Sequence, residues 1–190
     1  NRGTEARELT YRLYGPVGVD TEDLQTAGND IELAFGTRGR GETVQVEVLS
    51  AAKITHKDIA EGGVAWVGVS NNYFTSIFFP LSSGAGHPPS FVEKAFADAY
   101  PDAQRLDALA REKHGRPFDQ LNPQEQPAIR EKAYKNLRVA FRSLKVALPP
   151  GGGAVKHEYG LYLGTRDREI LDRYAALNFQ GVNQYGMFGF

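Results

Sequence analysis

The chain has 190 residues, which is enough for one sizeable hydrophobic core but not for two, so we expect a single domain over residues 1–190. With 41% hydrophobic and 24% charged residues, its composition is that of a globular protein and excludes a disordered or fibrous chain. A formal net charge of -1 excludes nucleic acid as an expected partner, and the lack of cysteine excludes disulfides and thiolate chemistry.

The first eighty residues show the two-residue alternation of half-buried β-strands. The predicted strands lie within residues 8–14, 31–35, 43–54, 64–70 and 73–79. Gly15 and Pro16 predict a turn after the first of them. Asn71 and Asn72 tolerate positive φ, so they predict a tight hairpin between the last two.

Residues 91–136 are predicted to be a helical insertion between strands. β-Branched residues become scarce there, and alanine and charged residues dominate, which favours helix. The first helix is predicted from the apolar face of residues 91–99. A second is predicted to begin at Pro101 and to stop near Gly115, and a third to follow Asn122.

The last part of the chain predicts two strand regions and a C-terminal helix. Residues 137–148 and 155–163 alternate as strands do, and the glycine-rich stretch 149–153 predicts the turn between them. Thr165 is the predicted cap of a helix over residues 165–178. The apolar side of this helix is formed by Ile170, Leu171, Tyr174 and Leu177.

No motif in the sequence is typical of a metal site, a cofactor site or a catalytic nucleophile. The histidines stand singly, without metal-ligand or catalytic spacing, at positions 56, 87, 114 and 157. His157 and Glu158 are neighbours in a predicted strand, so their side chains point to opposite faces. We therefore predict a protein that is not an enzyme, with no catalytic residues, no bound metal and no cofactor.

Aromatic residues crowd the predicted hairpin. They are Trp66, Tyr73, Phe74, Phe78 and Phe79. A sheet face with so many rings is usually core. The alternative is an aromatic cleft for a sugar or a peptide, formed by Trp66, Tyr73 and Phe74. The sequence leaves both interpretations open.

The chain ends in an uncharged stretch of glycine and aromatic residues, 185–190, which is typical of an approach to a membrane interface. No apolar run approaches the roughly 20 residues that cross a bilayer. We therefore expect a soluble domain with the membrane surface near its C-terminus. Because the chain begins with Asn1 and not with methionine, we expect it to be a fragment of a longer protein.

Two blocks of sequence form a recognisable pattern. The first is GGVAWVGVSNNYFTSIFFP at residues 62–80. The second begins with YGLYLG at residues 159–164, continues through the predicted helix and ends in NQYGMF at residues 183–188. In order and spacing these blocks resemble the periplasmic domain of YidC-type membrane protein insertases. Two departures are that Thr165 and Arg166 stand where the family often has Pro-Lys, and that the helical insertion is longer than the family's loop.

The resemblance implies a twisted β-sandwich of the galactose-mutarotase-like type, with helices at its C-terminal end. It also implies a domain on the periplasmic side of the bacterial inner membrane, within a multi-pass protein. Such a domain assists insertion and folding of inner-membrane proteins as a scaffold or partner-binding module. The implied partners are accessory subunits of the Sec translocon and nascent membrane proteins.

On this view we predict that Tyr174, Leu177 and Phe179 dock against a partner, and the alternative is that they only fasten the helix to the sandwich. A carbohydrate-binding or mutarotase-like sandwich is the alternative function, because a fold does not decide a function. A mutarotase-like enzyme needs an acid and a base that converge in a cleft. We would expect His56 or His157 to lie within hydrogen-bond reach of Glu47 or Glu158 in such an enzyme.

Overall fold

The computed structural model describes residues 1–17, 31–39, 43–51, 54, 56–81, 91–101, 103–133 and 135–186. The strands are β1 (Arg7–Leu9), β2 (Arg12–Val17), β3 (Glu32–Arg38), β4 (Val44–Ser50), β5 (His56–Glu61), β6 (Val64–Ser70), β7 (Phe74–Leu81), β8 (Val92–Pro101), β9 (Lys135–Ser143), β10 (Val146–Leu148) and β11 (Glu158–Thr165). The α-helices are α1 (Ala103–His114), α2 (Gln126–Lys132) and α3 (Arg168–Leu171). Short 3-10 helices cover Phe118–Gln120, Asp172–Leu177 and Phe179–Gly186.

Two antiparallel sheets pack face to face as a sandwich. The five-stranded sheet has the order β11-β7-β6-β3-β4, and the four-stranded sheet has the order β2-β9-β8-β5. A separate two-stranded ribbon pairs β1 with β10. The predicted mainly β sandwich with a helical insertion is therefore confirmed.

The core of the sandwich lies between these two sheets, because apolar side chains alternate toward the inner face of each strand. Leu33 and Val69 of one sheet share a buried cluster with Val139 and Phe141 of the other. Phe78 stacks on Phe141, with ring centroids 4.8 Å apart. Burial of each such side chain contributes about 1.5–3 kcal/mol, so this cluster is what holds the two sheets together.

A second apolar layer covers the outer face of the five-stranded sheet. Residues 166–186, called the C-terminal segment below, contribute Leu171 and Phe179 to a buried cluster with Ala34, Trp66 and Ile77 of the sheet. The described part of the fold therefore includes three stacked layers, which are the four-stranded sheet, the five-stranded sheet and the C-terminal segment.

The chain between β8 and β9 forms a small helical unit with an apolar cluster of its own. Ala110 of α1 and Ile129 of α2 are buried there with Leu121. The Arg130 guanidinium lies over the Phe118 ring, 4.8 Å from its centroid. The second and third helices predicted in this region are confirmed by α1 and α2.

The first helix predicted in this region is wrong, because Val92–Pro101 form the long strand β8. Val92, Ala95 and Ala97 lie in the sandwich core, while β8 pairs with β5 on one side and with β9 on the other. Pairing on both sides outweighs the local helix propensity of alanine and charged residues, which tertiary context commonly overrides. The helical part of the insertion therefore begins at Ala103, and residues 91–101 and 135–136 of the predicted span are not helical.

The turn predicted at Gly15 and Pro16 is also wrong, since β2 continues through both residues to Val17. Here β2 forms the edge of its sheet and shifts register against β9, so the missing N–H of Pro16 is tolerated. Glycine is required at position 15 because β2 passes close to Phe78 there. A Cβ at Gly15 would lie 2.8 Å from the Phe78 ring.

The helix predicted over residues 165–178 is α-helical only at Arg168–Leu171 and continues as a 3-10 helix to Leu177. The cap is not Thr165 but Asp167, whose carboxylate accepts a hydrogen bond from the Glu169 N–H at 2.8 Å. Asn178 then adopts a left-handed φ of 52°, which redirects the chain into the last 3-10 helix.

Candidate functional site

The C-terminal segment is fastened to the sheet around Trp66. This indole is fully buried, and its Nε1–H donates a 2.6 Å hydrogen bond to the Leu177 carbonyl. The Phe179 ring meets the indole edge-on, with centroids 5.7 Å apart. Gly36 opposite Trp66 leaves room for the indole, because a Cβ at Gly36 would overlap it. Close packing and one hydrogen bond thus bind the segment to the sandwich.

The three residues predicted to dock a partner belong to this fastening. Phe179 is fully buried in this structure, and docking of a partner by these residues stays a prediction. Tyr174 is half-buried and stacks on Phe179 with centroids 4.8 Å apart, while Leu177 packs against the same cluster. The described contacts favour the alternative, that these side chains hold the segment in place.

The predicted aromatic cleft is not assembled by its three residues. Trp66 is buried under the C-terminal segment, whereas Tyr73 is 74% exposed and Phe74 is 49% exposed at the far end of the hairpin. The hairpin itself is confirmed, since the Asn71 side chain accepts hydrogen bonds from the N–H groups of Tyr73 and Phe74 at 2.9 and 2.7 Å. Trp66 is therefore a core residue and not part of an open aromatic cleft.

Arg166 connects the C-terminal segment to two elements of the five-stranded sheet. Its Nη1 lies 3.1 Å from the Glu32 carboxylate and donates to the Asn71 carbonyl at 2.8 Å. The same guanidinium donates to the Val182 carbonyl and to the Asn183 side chain. With 12% of its side chain exposed, Arg166 is a largely buried cation that is paired and multiply hydrogen-bonded.

A pocket of about 350 Å³ lies at one side of the sandwich, where the ribbon faces the chain that leads into β11. Its walls are mostly aliphatic side chains from three strands, Leu9 of β1, Leu13 of β2 and Leu148 of β10. Tyr11 and His157 supply polar groups. Apolar walls combined with a few convergent polar groups are a usual form of a small binding site.

The polar groups of this pocket form a chain of hydrogen bonds. The Tyr11 hydroxyl is hydrogen-bonded to Nδ1 of His157 and lies 2.8 Å from the Tyr159 hydroxyl. The imidazole stacks on the Phe91 ring with centroids 4.2 Å apart. Which of the two groups donates depends on the tautomer of the imidazole. The geometry is suited to orienting a ligand through hydrogen bonds.

The acid–base pair expected of a mutarotase-like enzyme is not formed by His157 in the described part of the chain. Glu158 pairs with Lys156 at 2.6 Å, and Glu47 lies on β4 at the opposite edge of the five-stranded sheet. The side chain of His56 lies outside the described residues. Within the described ranges, no three histidine or acidic side chains are grouped to hold a metal ion, and no helix is long and apolar enough to cross a bilayer.

Alkaline pH is expected to weaken the fold through Tyr159. Burial and the Tyr11 hydroxyl raise the pKa of Tyr159 above its ordinary value. An acid with a raised folded pKa contributes stability below its unfolded pKa, about 10 for tyrosine, and this contribution is lost as pH rises through the folded value. We expect the free energy of unfolding to fall above about pH 10 and Tyr159→Phe to flatten that fall, as measured by chemical denaturation. The exposed Tyr73→Phe is the control, and equal pH profiles for both variants and the parent would contradict the assignment.

The sequence does not predict the pocket, because its members are distant in the chain. His157 stands singly in the sequence, and Tyr11 lies 146 positions before it. The one available signal was Tyr11, a polar-tipped ring on the apolar side of a predicted strand, and such residues usually seek a hydrogen-bond partner when buried.

Comparison with known proteins does not show a family for this chain. No family model matches it, and no curated protein matches it at a significant level.

Proposed function

We propose that this chain is the periplasmic domain of a YidC-type membrane protein insertase, acting as a non-enzymatic scaffold and partner-binding module. One observation carries the proposal. The two sequence blocks that resemble this family are residues 62–80 and 159–188, and their described parts fold into one continuous unit, because β11 pairs with β7 from Tyr159 opposite Pro80 to Thr165 opposite Phe74.

The C-terminal segment also belongs to this unit. It packs on the outer face of β6 through Trp66 and on β7 through Phe79, whose ring meets Phe179 edge-on at 5.4 Å. Blocks separated by nearly eighty residues therefore make one packing unit, which is what a shared structural motif requires. In the proposed role, the C-terminal segment holds the end of the domain in a fixed orientation near the inner membrane. Exposed residues of the same segment contact accessory subunits of the Sec translocon.

Site-specific photocrosslinking in the full-length parent protein tests the partner-binding role. A photoreactive residue at the exposed Ala175, on the C-terminal segment, is expected to form adducts with a translocon accessory subunit. The matched control is Ala108, an exposed alanine on α1 of the helical insertion. Adducts from Ala108 alone, or from neither position, would contradict docking through the C-terminal layer.

A carbohydrate-binding sandwich is the second candidate, and the pocket around Tyr11 and His157 is the observation that favours it. Tyrosine and histidine side chains can hydrogen-bond sugar hydroxyls, and apolar walls can take the faces of a ring. The reading frame downstream of Phe190 separates the two candidates. Several apolar spans with an arginine in one of the first support the insertase, whereas a stop codon or a second soluble module supports the sugar-binding protein.

A further inference from the structure

The pairing of β11 with β7 determines which backbone N–H and C=O groups of β11 point to its free edge. The Arg166 N–H donates to the Tyr73 carbonyl at 2.9 Å, which fixes the alternation of hydrogen-bonded pairs along β11 and β7. Residues 160, 162 and 164 therefore bond to β7. The N–H and C=O groups of Tyr159, Leu161 and Leu163 point away from it, and no other described strand pairs with that side of β11.

Within the described part of the chain, the other edges of the two large sheets are protected, whereas that of β11 is not. An edge strand is usually shielded by charge, proline, a bulge or a covering segment. In β2 the edge carries Pro16 and a register shift, and β5 also shifts register and contains charged residues. The edge strand β4 is covered by the C-terminal segment, where the Asn178 side chain donates to the Val44 carbonyl at 2.9 Å. From Tyr159 to Thr165, β11 has neither charge nor proline.

Apolar side chains accompany this free edge. Leu161 and Leu163 are 52% and 65% exposed, and they lie on the same side of β11 as Tyr159. Phe74, 49% exposed, is on the neighbouring strand opposite Thr165. The row ends at the pocket of about 350 Å³, of which Tyr159 forms part of the lining. Free backbone groups, an apolar row and a terminal pocket thus lie along one line.

We propose that β11 binds an extended apolar peptide as an added strand, with one large side chain of the peptide in the pocket beside Tyr11 and His157. The unpaired N–H and C=O groups require a partner with its own backbone groups at strand spacing, which an extended peptide has and a lipid or a sugar lacks. The exposed leucines require apolar side chains at every second peptide position. This inference goes beyond the insertase role, because the edge binds such a peptide whichever larger protein carries the domain.

Amide hydrogen exchange measured by NMR tests the proposal directly. The probe is a synthetic peptide of about eight residues that alternates valine and threonine and has a phenylalanine at each end. In the free protein, the amides of Tyr159, Leu161 and Leu163 are expected to exchange fast while those of Gly160 and Tyr162 are protected. Addition of the peptide is expected to protect the odd-numbered set and to leave the even-numbered set unchanged.

Protein variants separate backbone pairing from side-chain contact. Leu161→Pro removes an outward N–H without touching the β7 ladder, so we expect peptide affinity, measured by fluorescence anisotropy, to fall by roughly tenfold or more. Leu163→Lys places a charge on the apolar row and is expected to weaken binding similarly. The matched control is Leu144→Lys, a 43% exposed leucine between β9 and β10, which should bind as the parent does.

A modified peptide keeps the test valid even if a variant fails to fold. The same peptide, N-methylated at every second residue in one phase or the other, should lose binding to the unmodified protein in only one of the two phases. Equal binding of both methylated peptides overturns the added-strand geometry. Slow exchange of the odd-numbered amides before peptide is added also overturns the proposal, and a dependence of that protection on protein concentration assigns the edge to a second copy of the chain.

Discussion

Replacing Phe179 with alanine is expected to destabilise the protein by about 3–5 kcal/mol, the usual cost of removing a fully buried phenylalanine side chain. Its ring contacts Trp66 and Phe79 edge-on and stacks on Tyr174. Phe179 is the largest fully buried side chain that the C-terminal segment contributes to this cluster. The C-terminal segment should therefore loosen from the sheet before the sandwich unfolds.

Trp66 reports this loosening, since it is the only tryptophan in the chain. Its emission is expected to shift to longer wavelength in Phe179→Ala at denaturant concentrations where far-ultraviolet circular dichroism still shows intact strands. Ile170→Ala is the matched control, because Ile170 belongs to the same segment but is 36% exposed. If Phe179→Ala and Ile170→Ala lose similar stability, the C-terminal segment is not fastened by the buried aromatic cluster.

The behaviour of these aromatic residues shows how far sequence patterns reach. The apolar segments 64–70 and 73–79 predict a hairpin and leave open whether its rings are core or cleft, and Trp66 and Phe78 are buried in the core. Helical spacing placed Tyr174 and Leu177 on one apolar side, and both pack against the sheet. Local periodicity is enough in these cases because one face of each element is covered.

The wrong or missing predictions concern parts of the fold whose structure depends on residues that are distant in the sequence. The alanine and charged residues of β8 fit a helix locally, but two neighbouring strands supply backbone partners that the local pattern does not contain. The pocket is a more extreme case. Tyr11 precedes β2 and His157 precedes β11, and only the closure of the sandwich brings their side chains together. Such non-local contacts leave no periodic trace in a single sequence.

Removing the Arg166 side chain is expected to destabilise the protein by about 3 kcal/mol. Arg166→Ala leaves the Glu32 carboxylate, 22% exposed, without this cation and deprives the carbonyls of Asn71 and Val182 of a donor. A buried ion pair contributes little compared with an apolar substitute, but removal of one partner leaves an uncompensated charge. Chemical denaturation of Arg166→Ala measures the loss.

The Arg166→Lys variant separates the effect of the positive charge from the effect of the guanidinium's shape. Arg166→Lys keeps the positive charge but loses the planar fork that reaches several acceptors at once, so it should lose about half as much stability as the alanine variant. Arg173→Ala, at an exposed arginine of the same segment, is the matched control and should change stability by less than about 0.5 kcal/mol. A double-mutant cycle with Glu32→Ala isolates the ion pair, and a coupling energy near zero would show that Arg166 acts through the carbonyls alone. In either case Arg166 connects the two sequence blocks, because its contacts run from Asn71, between β6 and β7, to Val182 in the last 3-10 helix.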